Sequence, residues 1–173
     1  LNREFAVVYS PAFGNSDSLY YFNNTSDRPI MGNKLNYRVN QAETDPLYRW
    51  LAVLPKISNK IEFISTDTKK ITFEFVAKAP IRRFAFTAGG DSLVLALQNN
   101  TIEVYDISTM LSSDRLLNTI DFGTKPLIDR ISYSPDGRFL AFSTAFPPDD
   151  EPNRNYLLFA SRTHVYELSS EIM

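Results

Sequence analysis

A single histidine, His164, and no cysteine occur among the 173 residues. Nucleophilic catalysis by a Ser–His–acid arrangement would have to run through His164, with a serine raised on a sharp turn such as G-x-S-x-G. The chain contains no such turn, and His164 stands beside Val165 in an alternating run, where it reads as a strand-edge side chain. A metal centre needs several convergent ligands, and one His, no Cys and acids without calcium-loop spacing do not provide them. Asp149-Asp150-Glu151 is an acidic run, yet the prolines around it make it a solvated loop. Gly89-Gly90 is not a phosphate cradle, because no Lys-Ser/Thr follows it and it leads into a strand pattern. No two of the 20 acidic residues are placed by the sequence at glycosidase spacing. These residues imply neither catalysis nor a cofactor.

Lys and Arg number 18 against 20 Asp and Glu, a net charge of −2. That balance lacks the basic footprint of a nucleic-acid-binding domain, so no direct nucleic-acid partner is expected. No apolar run approaches the roughly 18–20 residues of a membrane helix, so no membrane span is expected. The chain opens at Leu1 without the charged-then-apolar pattern of a secretory signal, and is expected to be processed or truncated.

What the chain does carry is strand pattern in recurring units. Residues Ile81–Phe86, Ser92–Leu97 and Thr101–Asp106 read as three strands joined by tight turns, with Arg115–Phe122 as a fourth. Phe86 and Leu93 recur as Tyr133 and Leu140 at a shift of 47, with Gly89-Gly90 answered by Asp136-Gly137. The copy Ile128–Tyr133, Arg138–Thr144 is joined by Ser134-Pro135-Asp136-Gly137, in which Pro sets φ and Gly follows. Ile61-Glu62-Phe63-Ile64 matches Ile102-Glu103-Val104-Tyr105 at a shift of 41. Upstream, Leu35–Val39, Tyr48–Leu54, Lys60–Ser65 and Lys70–Val76 read as strands, with Gln41–Pro46 a polar turn. Arg3–Pro11 and Ser18–Phe22 suggest a further pair, Tyr9-Ser10-Pro11 being set against Tyr133-Ser134-Pro135, after which Asn23–Lys34 reads as loop. At the other end Asn155–Ala160 and Thr163–Leu168 read as two strands joined by Ser161-Arg162. Phe84, Phe86, Tyr133, Phe139 and Phe142 have strand spacing and are expected in the core between sheets.

Short strands in fours, repeated every 41–47 residues, describe the blades of a β-propeller. The fold expected is therefore all-β, a β-propeller of four-stranded antiparallel blades with about three and a half to four blades present. The units fall near 1–34, 35–78, 79–124 and 125–173. They resemble WD40 repeats, and the fourth resembles blades of TolB-like propellers. Phe84-Ala85-Phe86, Leu93–Leu97 and Thr101–Asp106 carry the resemblance, as do Ile131–Gly137 and Leu140–Ser143. Tyr105-Asp106 stands where the WD40 family has its terminal Trp-Asp. No copy has the family's Gly-His, and Asn99 stands at its usual Asp. Propellers close with ~4–8 blades, so the chain is expected to be part of a larger ring, completed by missing chain or by a partner, with a compact four-bladed ring as the alternative.

The resemblance implies a non-catalytic scaffold whose partners are other protein subunits. An accessory propeller of a larger prolyl-oligopeptidase-like hydrolase is the alternative. Binding residues concentrate on loops held by a rigid frame. The candidate partner-binding residues are Asn99 and Asn100 in a turn, Asp149, Asp150, Glu151 and Arg154 in the proline-rich insertion, and Arg82 at a strand start. Loops at Lys78–Pro80 and Lys125-Pro126 are expected beside them.

Overall fold

The computed structural model describes residues 4–11, 14–23, 28–29, 31–108, 116–121, 127–134, 138–146 and 160–167. Among these the chain is all-β, with every strand pairing antiparallel and no helix. Strands β1 (Glu4–Tyr9), β2 (Ser18–Asn23) and β3 (Met31–Lys34) form one sheet. A seven-stranded meander follows, made of β4 (Val39–Thr44), β5 (Trp50–Pro55), β6 (Ser58–Ser65), β7 (Ile71–Phe86), β8 (Ser92–Leu97), β9 (Thr101–Asp106) and β10 (Leu116–Asp121). The last sheet holds β11 (Leu127–Tyr133), β12 (Phe139–Phe146) and β13 (Ala160–Glu167).

The meander is two groups of four joined through β7. Residues 71–76 of β7 pair with β6 and residues 81–86 with β8, while Ile81 lies opposite both Ser58 and Leu97. The loop expected at Lys78–Pro80 is therefore strand. Proline has no N–H for a ladder. Pro80 sits where β7 changes partner, and its carbonyl still accepts from the Gln98 N–H at 2.9 Å.

Continuous apolar runs make the central strands, because these strands are buried on both faces. Ala52 and Leu54 of β5 enter one core with Phe84, Phe86, Leu93 and Leu95. Their neighbours Leu51 and Val53 enter another with Leu19 and Tyr21. In β8, Val94 and Ala96 turn away from Leu93 and Leu95 into a third core with Ile128, Leu140 and Phe142. Four antiparallel groups thus stack face to face through three apolar seams. Phe84, Phe86 and Phe142 are buried as expected, with Tyr133 and Phe139 half-buried. Tyr105 packs edge-on against Phe75 across a seam, ring centroids 4.7 Å apart.

Three hairpins share one register. β4–β5, β7–β8 and β11–β12 superpose pair for pair at shifts of 42 and 47, bulges included: Val39↔Pro55, Ile81↔Leu97 and Ile128↔Thr144 are each followed by a skipped residue. The skipped residues are Asn40, Arg82 and Asp129. Each hairpin turn is closed the same way, by a side-chain oxygen at its first residue. Asp45 Oδ1 accepts from the Trp50 N–H at 2.7 Å, Thr87 Oγ1 from Ser92 at 3.1 Å and Ser134 Oγ from Phe139 at 2.9 Å. Gly90 takes φ of 72° in the second turn, and Tyr48 takes the same place in the first at φ of 56°. A left-handed backbone suits glycine and strains a tyrosine.

Besides β7, the structure differs from the sequence reading in three strands. The stretch 41–46, read as a polar turn, is mostly strand β4, and the turn begins at Asp45. Its polar side chains serve a neighbouring strand: Gln41 Nε2 donates to the Phe84 carbonyl at 2.7 Å while Gln41 Oε1 accepts from the Phe84 N–H at 3.1 Å. Asn40 Nδ2 likewise donates to the Arg82 carbonyl at 2.9 Å. β3 lies within a stretch read as loop, and its composition explains the miss. Gly32 lies under Tyr20, where a Cβ would come within 2.8 Å of the ring. β13 runs through Ser161-Arg162 without a turn, held by an unbroken ladder to β12. The first sheet also aligns differently. Ser18↔Lys34 through Tyr21↔Met31 match Lys60↔Val76 through Phe63↔Phe73 at a shift of 42, so β2–β3 corresponds to β6–β7 and not to a leading hairpin.

Phe84 is fully buried, so its backbone groups have no solvent to fall back on. Gln41→Ala is expected to lower stability in urea melts by about 2–4 kcal/mol, the cost of orphaning a buried donor and acceptor. Gln41→Glu should not restore it, since a carboxylate cannot donate to the carbonyl. Tyr48 is 66% exposed, so Tyr48→Gly should relieve its backbone at little loss of packing and raise stability by about 1 kcal/mol.

Candidate functional site

The leading strands of the hairpins, β4, β7 from Ile81 and β11, all begin at one end of the stack. The turns between second and third strands lie at that same entry end. Lys56 N donates to the Arg38 carbonyl at 2.8 Å and Gln98 N to the Pro80 carbonyl at 2.9 Å. The register thereby brings Arg82 to the end that also bears Asn99 and Asn100, three of the residues singled out from sequence. Asn99 is exposed, and its Oδ1 accepts from the Thr101 hydroxyl at 2.8 Å. Asn100 takes φ of 65°, a backbone that asparagine tolerates. Ile57, in the equivalent turn between β5 and β6, takes φ of 56° and is 78% exposed. Asp149, Asp150, Glu151, Arg154 and the Lys125-Pro126 loop lie outside the described residues.

Charge at this end is uneven. Arg38 is neutralised: its NH1 lies 3.0 Å from Asp17 Oδ1, and its NH2 donates to the Pro11 carbonyl at 3.0 Å. Asp17 is buried and also accepts from the Val39 N–H at 2.7 Å, at the start of β4. Burial pushes its carboxyl up, but the Val39 N–H, the Ser10 hydroxyl and the Arg38 guanidinium outweigh that and hold it below its ordinary 3.8. Arg83 NH1 donates to Asn40 Oδ1 at 3.1 Å and to the Arg82 carbonyl at 2.9 Å. Arg82 is half-buried, and its Nε is shut off from solvent with no acceptor. Exposed Lys56 and Lys78 flank these groups. Sequence reasoning found Arg82 but missed Asn40, because the equivalence of the two positions rests on the bulge and not on residue type.

The opposite end is built to hold itself together. Asp45 is buried and accepts from the Arg49 and Trp50 N–H groups, while Arg49 Nε donates to its Oδ2 at 2.9 Å. Arg49 NH2 then reaches the Gly90 carbonyl of the next turn at 3.0 Å. Two further buried carboxylates are capped by tyrosines, Glu62 by Tyr37 and Glu103 by Tyr105, the latter at 2.6 Å. The Glu62 contact pushes the Tyr37 hydroxyl's pKa up, on top of the larger effect of burial. Among the described residues no three His, Cys, Asp or Glu side chains gather as a metal site would require. Among them, too, no helix is long and apolar enough to cross a membrane. His164 stands in β13 opposite Phe142.

No protein-family model matches the chain, and no curated protein matches it in sequence. Likeness of fold is broad, with 846 chains of solved structures matching, so it selects no function by itself. One of these is a hydrazine synthase from Kuenenia stuttgartiensis, with a TM-score of 0.68 at 18% identity over 88% of this chain. The match spans only 45% of that protein's chain. At this identity the likeness is one of fold.

Asp17 gives the entry end a pH dependence of defined sign. A carboxyl held low in the folded state contributes stability above its ordinary pKa, and that contribution is lost as the pH falls through the folded value. Asp17→Asn should be less stable than wild type at neutral pH and should converge on it below pH 3.8. Urea melts from about pH 2.5 to about pH 7, which bracket the carboxylate range, read this directly, and a gap that stays constant would remove the ionic account.

Proposed function

We propose that the chain is part of a β-propeller with WD40-like or TolB-like blades, serving as a non-catalytic binding module within a larger protein assembly. The observation that carries this reading is the shared register: three hairpins with the same bulge and the same capped turn, stacked through apolar seams. On this reading β4–β7 and β7–β10 are complete four-stranded blades sharing β7. β1–β3 are the outer three strands of a first blade, and β11–β13 are the inner three of a fourth. A stack of this kind is rigid, and its entry end offers Arg82, Asn99 and Asn100 on strands and turns that cannot shift independently. Other protein subunits are the partners that such a surface suits.

A second reading has one observation in its favour. The solved chain matched over 45% of its length is an enzyme by its printed name, which fits an accessory propeller in a larger catalytic polypeptide.

A photo-crosslinking residue placed at Asn99 in the full-length protein tests both. Crosslinks to a separate protein from position 99, and none from exposed Asp67 at the opposite end, are expected. Crosslinks from 99 into the same polypeptide would favour the accessory domain. Equal capture from both positions, or none from either, would sink the assignment of the entry end.

A further inference from the structure

We infer that Ile57 is the apolar anchor of the entry end, its side chain inserting into an apolar pocket on the partner protein. This deepens the proposed binding function and rests on it. Lys56 and Ile57 join β5 to β6, and Ile57 takes φ of 56°. There a side chain branched at Cβ crowds its own backbone, which costs free energy in any fold. Among the described residues, Tyr48, Ile57, Lys69 and Asn100 are the non-glycine residues with positive φ, and only Ile57 is branched at Cβ. The equivalent turn between β8 and β9 gives its left-handed place to Asn100, a residue that tolerates it. The backbone therefore asks for asparagine or glycine at position 57, and isoleucine stands there under strain.

Packing within the chain does not offset that strain. Ile57 is the most exposed large apolar side chain among the described residues, at 78%, and it joins none of the three cores. Single exposed apolar residues are ordinary on protein surfaces. One held in a strained backbone is not, and such strain gathers where ligands and partners bind. The turn that carries Ile57 is tied on both sides. The Lys56 N–H donates to the Arg38 carbonyl at 2.8 Å, Ser58 Oγ accepts from the Lys60 N–H at 2.9 Å, and Asn59 Nδ2 donates to the Ala77 carbonyl at 3.1 Å. An anchor already fixed in place loses little entropy on binding. Val76, 57% exposed, lies opposite Lys60 near the start of β6, so exposed apolar surface extends beyond one side chain. Lys56 precedes Ile57 and is exposed. Burying its ammonium against a wholly apolar surface would be unfavourable, so the pocket that fits has hydrogen-bond acceptors at its rim. An apolar centre inside a polar rim is the anatomy of a protein interface.

The protein captured from position 99 of the full-length chain, purified and labelled, tests this by fluorescence anisotropy against wild type and variants at position 57. Ile57→Asn should bind it about tenfold more weakly, as expected for a buried isoleucine lost. Its melting temperature should rise by about 2–4 °C as the backbone relaxes. Binding and stability moving in opposite directions is a signature that a merely structural residue does not give. Ile57→Val keeps the strain and trims one methylene, so binding should weaken by about fourfold with the melt unchanged. Tyr48→Gly, which relieves strain at the opposite end, should leave binding unchanged. Equal binding by wild type and Ile57→Asn would overturn the inference. So would a lower melting temperature for Ile57→Asn, which would assign the side chain to the fold's own packing. Ile57-dependent binding to phosphatidylcholine/phosphatidylserine vesicles, or Ile57-dependent self-association in light scattering, would overturn it in favour of a membrane or a second copy. If position 99 captures a protein that Ile57→Asn binds as wild type does, this inference falls and the binding module stands. If position 99 captures no separate protein, both fall.

Discussion

Each leading strand carries one row of backbone donors and acceptors that no neighbouring strand of its own sheet reaches. The stacking of the sheets depends on satisfying that row. Between β4 and β7 the solution is a side chain: the Gln41 amide takes the place of a strand and meets both backbone groups of Phe84. Asn40 does half as much for Arg82. An orphan at Phe84, which is fully buried, would cost about 2–4 kcal/mol for its donor and acceptor together. This explains why a strand in the middle of an apolar stack has the composition of a loop. Its polar residues serve the neighbour's backbone and not solvent.

That same arrangement set the limit on what the sequence shows. Strands buried on both faces announce themselves, and β5, β6, β8 and β9 were legible because apolar residues fill them. The shift of 47 between the third and fourth units was legible for the same reason. The shift of 42 was not, because Asn40, Gln41 and Glu43 in β4 replace Arg82, Arg83 and Ala85, and no pairwise likeness survives. β3 was hidden by a glycine that makes room for Tyr20, and the continuity of β7 by Pro80, ordinarily a breaker. At the entry end Arg82, Asn99 and Asn100 were each visible as residues. Their shared position was not, since it follows from ladder register, a long-range property.

The hairpin turns show how a repeat can drift in residue type while holding its geometry. Asp45, Thr87 and Ser134 differ in charge and size, yet each presents an oxygen to the N–H five residues on. Short side chains with an acceptor are interchangeable in such a role. Tyr105 contributes through its ring on Phe75 and its hydroxyl on Glu103. The seams are held by apolar packing and by backbone satisfaction, with Asp–Arg pairs at the two ends and the buried Glu62 and Glu103 carboxylates capped by tyrosines.

The partner switch in β7 separates two boundaries that are usually taken as one. By sequence likeness the second unit ends near 78; by hydrogen bonding it has no end there, since one strand belongs to the ladders on both sides. Opening either ladder exposes an edge of the other. The pair should therefore exchange its amide protons as a single foldon, while the flanking three-stranded sheets, which share no strand ladder with it, are free to open at lower cost. Cooperativity in this chain is centred on Ile81, where one residue is counted by two ladders.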